Sequence, residues 1–267
     1  MSLNQQQLEA ILTAIDNKAL QRYCIHLYKS VSSTNTVLWQ LLSQGAKPAT
    51  IAIAQQQTAG RGQWGRQWTS EAGGLYLSYA IAPQTNAIHS YQLTMGSAWG
   101  IATALRDRGI PVSLKWPNDL ILCGRKLGGI LTETKICGGK ITQAVIGVGI
   151  NWANPVPKTG INLRSFLMHQ TETAMFSLET LAAVTILGIT AGCEAGNEIL
   201  PAYEKLLTSI GRTVTIDGHS GTIIGVAVNG NLRVRLYHDS REVLLPVGAI
   251  SLGYEEPEEV GSCEVYY

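Results

Sequence analysis

The sequence predicts an α+β protein: a mixed β-sheet domain with helices packed on one side, followed by a small β-barrel. Apolar residues recur at helical spacing in several segments, and these segments alternate with short apolar runs typical of strands. After Gly211 the pattern changes to short strand-like runs separated by the turn dipeptides Asp217-Gly218 and Asn229-Gly230. We therefore expect a larger domain over residues 1–210 and a barrel domain over residues 211–267.

The elements of the larger domain follow from its apolar spacing. Leu8, Ile11, Leu12 and Ile15 keep the i, i+3, i+4, i+7 spacing of one helical face, which predicts an opening helix. Further helices are expected after the capping residues 32–35 and at about 88–108, 177–192 and 198–208. Strands are expected at 23–27, 51–54, 75–81, 112–115, 127–134 and 143–150.

The second domain is expected to hold about five short strands, enough for a small barrel. Its strand-like runs include residues 214–216, 221–224, 232–236 and 242–245. The acidic residues 255–259 predict a solvated tail.

Composition limits the classes of partner. The 267 residues are 45% hydrophobic and 15% charged, as in ordinary globular proteins, and the formal net charge is +1. The chain therefore has no overall positive field for nucleic acid or an anionic membrane. It shows no membrane-span or signal-peptide pattern, so we expect a cytoplasmic protein. The five cysteines are scattered without a C-x-x-C pair, which favours free thiols in a reducing compartment.

The most informative segment is residues 57–68, in which three glycines and two arginines fall within seven residues. Glycine backbone N–H groups and arginine guanidinium groups both suit an anion. The pattern Gly60-x-Gly62-x-x-Gly65 matches a dinucleotide fingerprint, but no helix is expected after it and no acidic residue follows Glu71 before Asp107. A nicotinamide or flavin site is therefore not favoured, and the alternative to an anion-binding loop is a solvated surface hairpin.

Three later segments add polar groups at strand ends. Residues 115–119 pack a lysine, an amide and a carboxylate around a proline, although a capped turn would explain them equally well. Residues 126–131 and 147–151 place glycines inside strand-like runs, which indicates that other atoms approach the backbone closely. Together these segments predict a narrow apolar slot with positive ends. Such a slot would hold a slim acid beside an ATP phosphate, as carboxylate activation requires.

These motifs resemble, in order, those of the biotin–protein ligases. The matching segments are Ser33-Thr34-Asn35 and residues 57–62, 65–68, 115–120, 126–131 and 147–151. The resemblance implies that family's catalytic fold over about residues 30–152, and it makes the barrel a Src-homology-3-like domain. It also implies activation of biotin by ATP to biotinyl-5′-AMP. Biotin would then be transferred to a lysine of the biotin carboxyl carrier domain of acetyl-CoA carboxylase.

The resemblance further implies roles for individual residues. Biotin would be bound by Ser33, Thr34, Asn35, Gln57, Gly60, Arg61, Gly62, Gln63, Lys126, Gly129, Leu131, Gly147 and Gly149. ATP would be bound by Arg61, Arg66, Trp68, Lys115, Asn118, Asp119 and Asn151, with Trp68 near the adenine. The catalytic residues would be Arg61, Lys126, Lys115 and Asp119. Of these, Asp119 would contact Mg²⁺ through ATP and is the candidate base for the acceptor lysine.

Two departures from the family pattern stand out. Many relatives carry arginine where this chain has Gln63, which predicts a looser hold on the adenylate, partly offset by packing of Trp64. Only about one helix precedes the first strand, too little for a helix-turn-helix domain, so no DNA binding is expected. Association of two catalytic domains through a sheet edge is a family property that the sequence neither predicts nor excludes.

Two alternatives remain open at this stage. Lipoate–protein ligases and octanoyl transferases have a catalytic fold similar to the one implied here, but their signature motifs are absent from this sequence. A non-catalytic sensor would bind biotin in the same pocket without turning it over. Lys126 and residues 115–119 favour retained chemistry, because storage of biotin alone needs neither.

Overall fold

The computed structural model describes residues 3–170, 176–250 and 252–254. Within them the chain forms seven α-helices: α1 (Gln5–Ile15), α2 (Ala19–Arg22), α3 (Thr34–Ser43), α4 (Ser90–Arg106), α5 (Leu163–Leu167), α6 (Leu178–Glu194) and α7 (Ile199–Lys205). The predicted opening helix and the predicted helices near 88–108 and 177–192 are therefore confirmed. The acidic segment 255–259 lies outside the described residues. No helix in the described ranges is long and apolar enough to cross a membrane.

Twelve strands form two sheets in the described part of the chain. The first sheet contains β1 (Cys24–Tyr28), β2 (Thr50–Ala54), β3 (Leu75–Ile81), β4 (Thr85–Asn86), β5 (Ser113–Lys115), β6 (Asp119–Leu122), β7 (Arg125–Cys137) and β8 (Lys140–Ile150). The second contains β9 (Thr213–Ile216), β10 (His219–Val226), β11 (Leu232–Leu236) and β12 (Glu242–Leu245). This arrangement confirms the predicted α+β class, with four strands described after Gly211 where about five were expected.

The first sheet is mixed and runs in the order β1-β2-β3-β8-β7-β6-β5, with β4 paired to β8. Only β1 and β2 are parallel, and the other neighbours are antiparallel. The register places Gly129 opposite Gly149 and Leu131 opposite Gly147 at the centre of the sheet. Three of the glycines that the sequence singles out are therefore neighbours on two adjacent strands.

The helices lie on both faces of this sheet. Alternate residues of β2 point to opposite faces, so Ile51 joins the main core with α1, α4 and α6, whereas Ala52 joins a separate cluster with α3. Most helices thus lie on one face, as predicted, and α3 is the exception. The reason is that Leu38 and Leu42 of α3 pack on the small residues of the opposite face.

The second sheet is antiparallel, in the order β12-β11-β10-β9. It is attached to the rest of the described chain by polar contacts as well as by apolar packing. Trp116 Nε1 donates to the carbonyl oxygen of Gly230 at 2.9 Å, and the backbone N–H of Val226 donates to Glu204 at 2.6 Å. The chain after β12 then returns to the carboxyl end of β5.

One expectation about the cysteines is wrong. Cys24, Cys137 and Cys193 are free thiols, as predicted, whereas Cys123 is disulfide-bonded. Burial raises the pKa of the Cys193 thiol to about 11, so this cysteine is not an activated nucleophile. The scattered spacing that argued against a disulfide framework carries no information about contacts between distant parts of the chain.

Candidate functional site

Two adjacent cavities contain most of the residues singled out from the sequence. The narrow cavity, of about 50 Å³, lies over the glycine-rich centre of the sheet between α3 and the loop of residues 60–68. The wide cavity, of about 540 Å³, lies between the same loop, the β5–β6 turn and the chain after β12. Asn118 and Lys126 line both cavities. A ligand that fills both would therefore pass these two side chains.

Glycines form the floor of the narrow cavity, because the side chains of Asn35 and Trp68 pack directly against it. A β-carbon on Gly147 would collide with Oδ1 of Asn35. A β-carbon on Gly149 would lie 2.5 Å from Nε1 of Trp68. The predicted close approach to these strands is therefore real, and part of it is made by the chain's own Asn35 and Trp68.

A hydrogen-bonded network forms one end of the narrow cavity. Oε1 of Gln57 accepts from the backbone N–H and the hydroxyl of Thr34, at 2.8 and 3.1 Å. Nε2 of Gln57 donates to the hydroxyl of Ser70 at 2.8 Å. Ser33 is the N-cap of α3, yet its side chain makes no capping bond and lines the cavity instead. This end of the cavity is polar and uncharged.

Ser78 supports that network and was not singled out from the sequence. It is fully buried in β3, and its hydroxyl donates to Oδ1 of Asn35 at 2.6 Å and lies 2.7 Å from Oγ1 of Thr34. Asn35 in turn donates from Nδ2 to the carbonyl oxygen of Leu131 at 3.5 Å. A serine inside the otherwise apolar and aromatic run Leu75–Ile81 was the only sequence signal for this role.

Charged groups meet where the two cavities join. Nζ of Lys126 lies 2.6 Å from Oδ1 of Asp119 and 5.2 Å from the centre of the Trp68 ring. The Tyr254 hydroxyl donates to Oδ2 of Asp119 at 2.8 Å, and Nζ of Lys115 lies 3.6 Å from the centre of the Tyr254 ring.

Burial lowers the pKa of Lys115, and the attraction of Asp119 offsets only part of that effect. Burial and the Asp119 carboxylate raise the pKa of Tyr254.

Arg61 is held at the rim of the narrow cavity by a residue that sequence reasoning missed. Its Nη2 lies 2.9 Å from Oε1 of Glu133, and the indole N–H of Trp39 donates to Oε2 of Glu133 at 2.8 Å. Glu133 is on β7, and Trp39 is on α3. The sequence offered no signal for this pairing beyond a single acidic residue inside a strand.

The wide cavity takes its walls from three parts of the chain. The loop contributes Gln63, Trp64 and Arg66, and the β5–β6 turn contributes residues 115–119. The remaining wall is formed by Val247, Gly248, Ala249, Ile250 and Leu252, which follow β12. The second sheet therefore brings its C-terminal segment directly to the candidate site.

Four predicted residues do not lie where the sequence suggested. Gln63, expected to bind biotin, lines the wide cavity and not the narrow one. Trp68, expected near the adenine, lines the narrow cavity and not the wide one. Asn151 lines neither: it is buried and donates from Nδ2 to the carbonyl oxygen of Lys126 at 3.3 Å. Gly60 lies behind the polar network, because a β-carbon there would be 3.0 Å from Nε2 of Gln57. Asn151 and Gly60 thus support residues that reach the cavities.

The described residues contain no cluster of three or more metal-ligating side chains. Asp119 is the carboxylate of the wide cavity, and both of its oxygens already have partners. One carboxylate suits a magnesium ion that arrives with a triphosphate, since this ion keeps water and phosphate oxygens as its other ligands.

Part of the chain is similar in sequence to known proteins. Residues 27–151 match the model of the Biotin/lipoate A/B protein ligase family. The bifunctional ligase/repressor BirA of Escherichia coli is 33% identical over 204 residues, which are 74% of this chain and 63% of BirA. The biotin–[acetyl-CoA-carboxylase] ligase of Paracoccus denitrificans is 34% identical over 115 residues, 42% of this chain and 48% of that protein. The chain thus spans less than two thirds of the length of either relative.

The fold is also that of a solved ligase. The structure of biotin protein ligase from Aquifex aeolicus in complex with biotin and ATP superposes with a TM-score of 0.68. The alignment covers 86% of this chain and 99% of that chain, at 24% identity.

Proposed function

We propose that this chain activates biotin with ATP and transfers the biotinyl group to a protein lysine. The match of residues 27–151 to the Biotin/lipoate A/B protein ligase family supports the proposal. One observation supports this most directly: the narrow cavity has a polar, uncharged end at Gln57 and a cationic end at Arg61 and Lys126. A molecule with a neutral hydrogen-bonding ring at one end and a carboxylate at the other fits this polarity.

The polar end favours biotin over lipoate or octanoate. The ureido ring of biotin offers both N–H donors and a carbonyl acceptor, and Ser33, Thr34 and Gln57 supply groups of both kinds. A dithiolane ring or a hydrocarbon end can make no hydrogen bond with these polar groups and would exclude water from them, which costs binding energy. Trp68, which lies over Gly149, would pack on the acid.

Adenylation joins the contents of the two cavities. A biotin carboxylate oxygen attacks the α-phosphorus of ATP, a P–O bond forms, and pyrophosphate leaves with the electron pair of the broken bond. Two anions must approach each other, and Arg61 and Lys126 would reduce their repulsion and stabilise the charge of the transition state. The wide cavity would hold the nucleotide among Arg66, Lys115 and Asn118. Magnesium, carried by ATP near Asp119, would neutralise phosphate charge.

In the transfer step, the neutral amine of an acceptor lysine attacks the mixed anhydride and displaces AMP. A free lysine has a pKa of about 10.4, so a base must take its proton. We assign that role to Asp119, which lies where the cavities meet. The relative from Paracoccus denitrificans, a biotin–[acetyl-CoA-carboxylase] ligase, supports the biotin carboxyl carrier domain of acetyl-CoA carboxylase as the acceptor.

The test is isotope exchange between ATP and labelled pyrophosphate, with magnesium and with biotin, lipoate or octanoate as the acid. Exchange with biotin alone is the expected result, and it needs no acceptor protein. Exchange with lipoate or octanoate but not biotin would overturn the choice of acid. Tight biotin binding without any exchange would show a sensor in place of a ligase.

A further inference from the structure

Glu133 is a half-buried charge at the edge of the candidate site. Its side chain is 25% exposed, and it stands on β7, on the stretch of that strand that pairs with β8. Removing a carboxylate from water is unfavourable unless hydrogen bonds and an opposite charge compensate. Both oxygens of Glu133 are occupied, one by Trp39 of α3 and one by Arg61 of the loop. Glu133 therefore links the two elements that flank the narrow cavity.

The position in which Glu133 holds Arg61 matters for ligand binding. Arg61 lines the narrow cavity while its guanidinium is paired with Glu133, so the ion pair keeps this residue beside the cavity. The nearest contact to Glu133 is made by Nη2. A guanidinium group has five N–H donors in a rigid plane, so the remaining donors of Arg61 stay available for a ligand anion. Trp39 fixes Glu133 in turn, because the indole N–H can only donate.

We propose that Glu133, fixed by Trp39, is a positioning residue that orients Arg61 toward the carboxylate and phosphate of the bound substrates. The proposal rests on the proposed function for the identity of those anions. An arginine fixed in advance loses less conformational entropy when the ligand binds, so the same contact gives more affinity and a faster adenylation step. Trp39→Phe keeps an aromatic ring on α3 but removes the indole N–H that fixes Glu133. This variant should therefore lose only part of the orienting effect of Glu133 on Arg61.

The first experiment is trypsin cleavage of the ligand-free protein after Arg61 and Arg66. Glu133→Gln should accelerate cleavage in the 60–66 loop several-fold, because Arg61 loses its ionic partner. Glu242→Gln, which removes the exposed ion pair to Arg233 on the second sheet, is the matched control and should leave the rate unchanged. Equal cleavage rates for wild type and Glu133→Gln would overturn the proposal. This measurement needs no catalysis, so it decides the matter even if the proposed function fails.

The second experiment is a double-mutant cycle in biotin-dependent ATP–pyrophosphate exchange. Glu133→Gln should lower kcat/KM about tenfold, the loss expected for one charge-assisted contact. In the Arg61→Ala background the same change should have no further effect, because Glu133 then has nothing to orient. A tenfold loss in both backgrounds would mean that Glu133 acts on the fold and not through Arg61. If Glu133→Gln folds poorly, Trp39→Phe supplies the same cycle.

Discussion

The hydroxyl group of Tyr254 lies 2.8 Å from Oδ2 of Asp119, although the two residues are 135 positions apart. The ring of the same tyrosine faces Nζ of Lys115 at 3.6 Å. A residue that follows the second sheet therefore contacts two of the β5–β6 side chains that we assign to the nucleotide and its magnesium. Magnesium at Asp119 and phosphate at Lys115 would have to replace these contacts.

Replacement of Tyr254 should therefore strengthen nucleotide binding. Tyr254→Ala frees both Asp119 and Lys115, and we expect a several-fold lower KM for MgATP in the exchange reaction. Tyr254→Phe keeps the ring over Lys115 and frees only Asp119, so its effect should be smaller and in the same direction. A higher KM in both variants would show that the tyrosine supports the site and does not compete with the nucleotide.

Lys126→Ala should abolish most of the adenylation activity. Lys126 lines both cavities, and the loss of a charge that stabilises the transition state typically costs about 10²–10³ in rate. Exchange kinetics measure the loss, and circular dichroism should show an intact fold. Lys135→Ala, an exposed lysine on the same strand, is the control and should retain full activity. Unchanged turnover in Lys126→Ala would contradict the assignment.

Gly147→Ala should prevent biotin binding, because the new methyl group collides with Asn35 at the floor of the narrow cavity. Asn35 must then move and would break its hydrogen bond with Ser78. Isothermal titration with biotin measures the loss of affinity, and a thermal melt measures the accompanying loss of stability. Normal biotin affinity in this variant would argue that the acid binds elsewhere.

Gln63→Arg should slow the release of the adenylate. Gln63 lines the wide cavity beside Arg66 and Lys115, so an arginine there would add a charge-assisted contact to phosphate. The expected change is about tenfold in the dissociation rate, measured by chase of labelled biotinyl-5′-AMP. Equal rates in variant and wild type would show that residue 63 does not control the release of the adenylate.

Lys115→Met should raise stability at neutral pH. Burial lowers the pKa of Lys115 in the folded state below the usual 10.5, so the charged form is disfavoured by folding. Between the two pKa values the unfolded chain binds more protons, and the stability of the wild type therefore rises with pH in that window. Thermal melts should show an advantage for Lys115→Met that shrinks as the pH approaches 10.5. Lys135→Met, at an exposed site, is the control substitution.

The sequence predicted those features of the site that local patterns encode. Glycines inside strands marked the floor of the narrow cavity, and the lysines of residues 115–131 marked the cationic junction. These signals can be recognised locally, because glycine inside a strand and proline in a turn each have only a few structural causes.

The missed residues act through contacts between distant segments. Glu133 gains its role from Trp39 and Arg61, and Tyr254 gains its role from Asp119. No spacing rule joins such partners, because the sheet order brings them together. The same reasoning explains Asn151, whose position after a glycine-rich strand predicted a ligand contact. The structure turns its side chain to the backbone of Lys126 instead.

The walls of the wide cavity have a consequence for the mechanics of the molecule. Residues 115–119 belong to the first sheet, and residues 247–250 and 252 follow the second, so a nucleotide between them would bridge the two sheets. Its binding free energy would be added to the apolar packing that already joins the sheets, since a ligand that binds only the folded form stabilises it. The loaded protein would then unfold as one cooperative body, at a temperature that rises with nucleotide concentration.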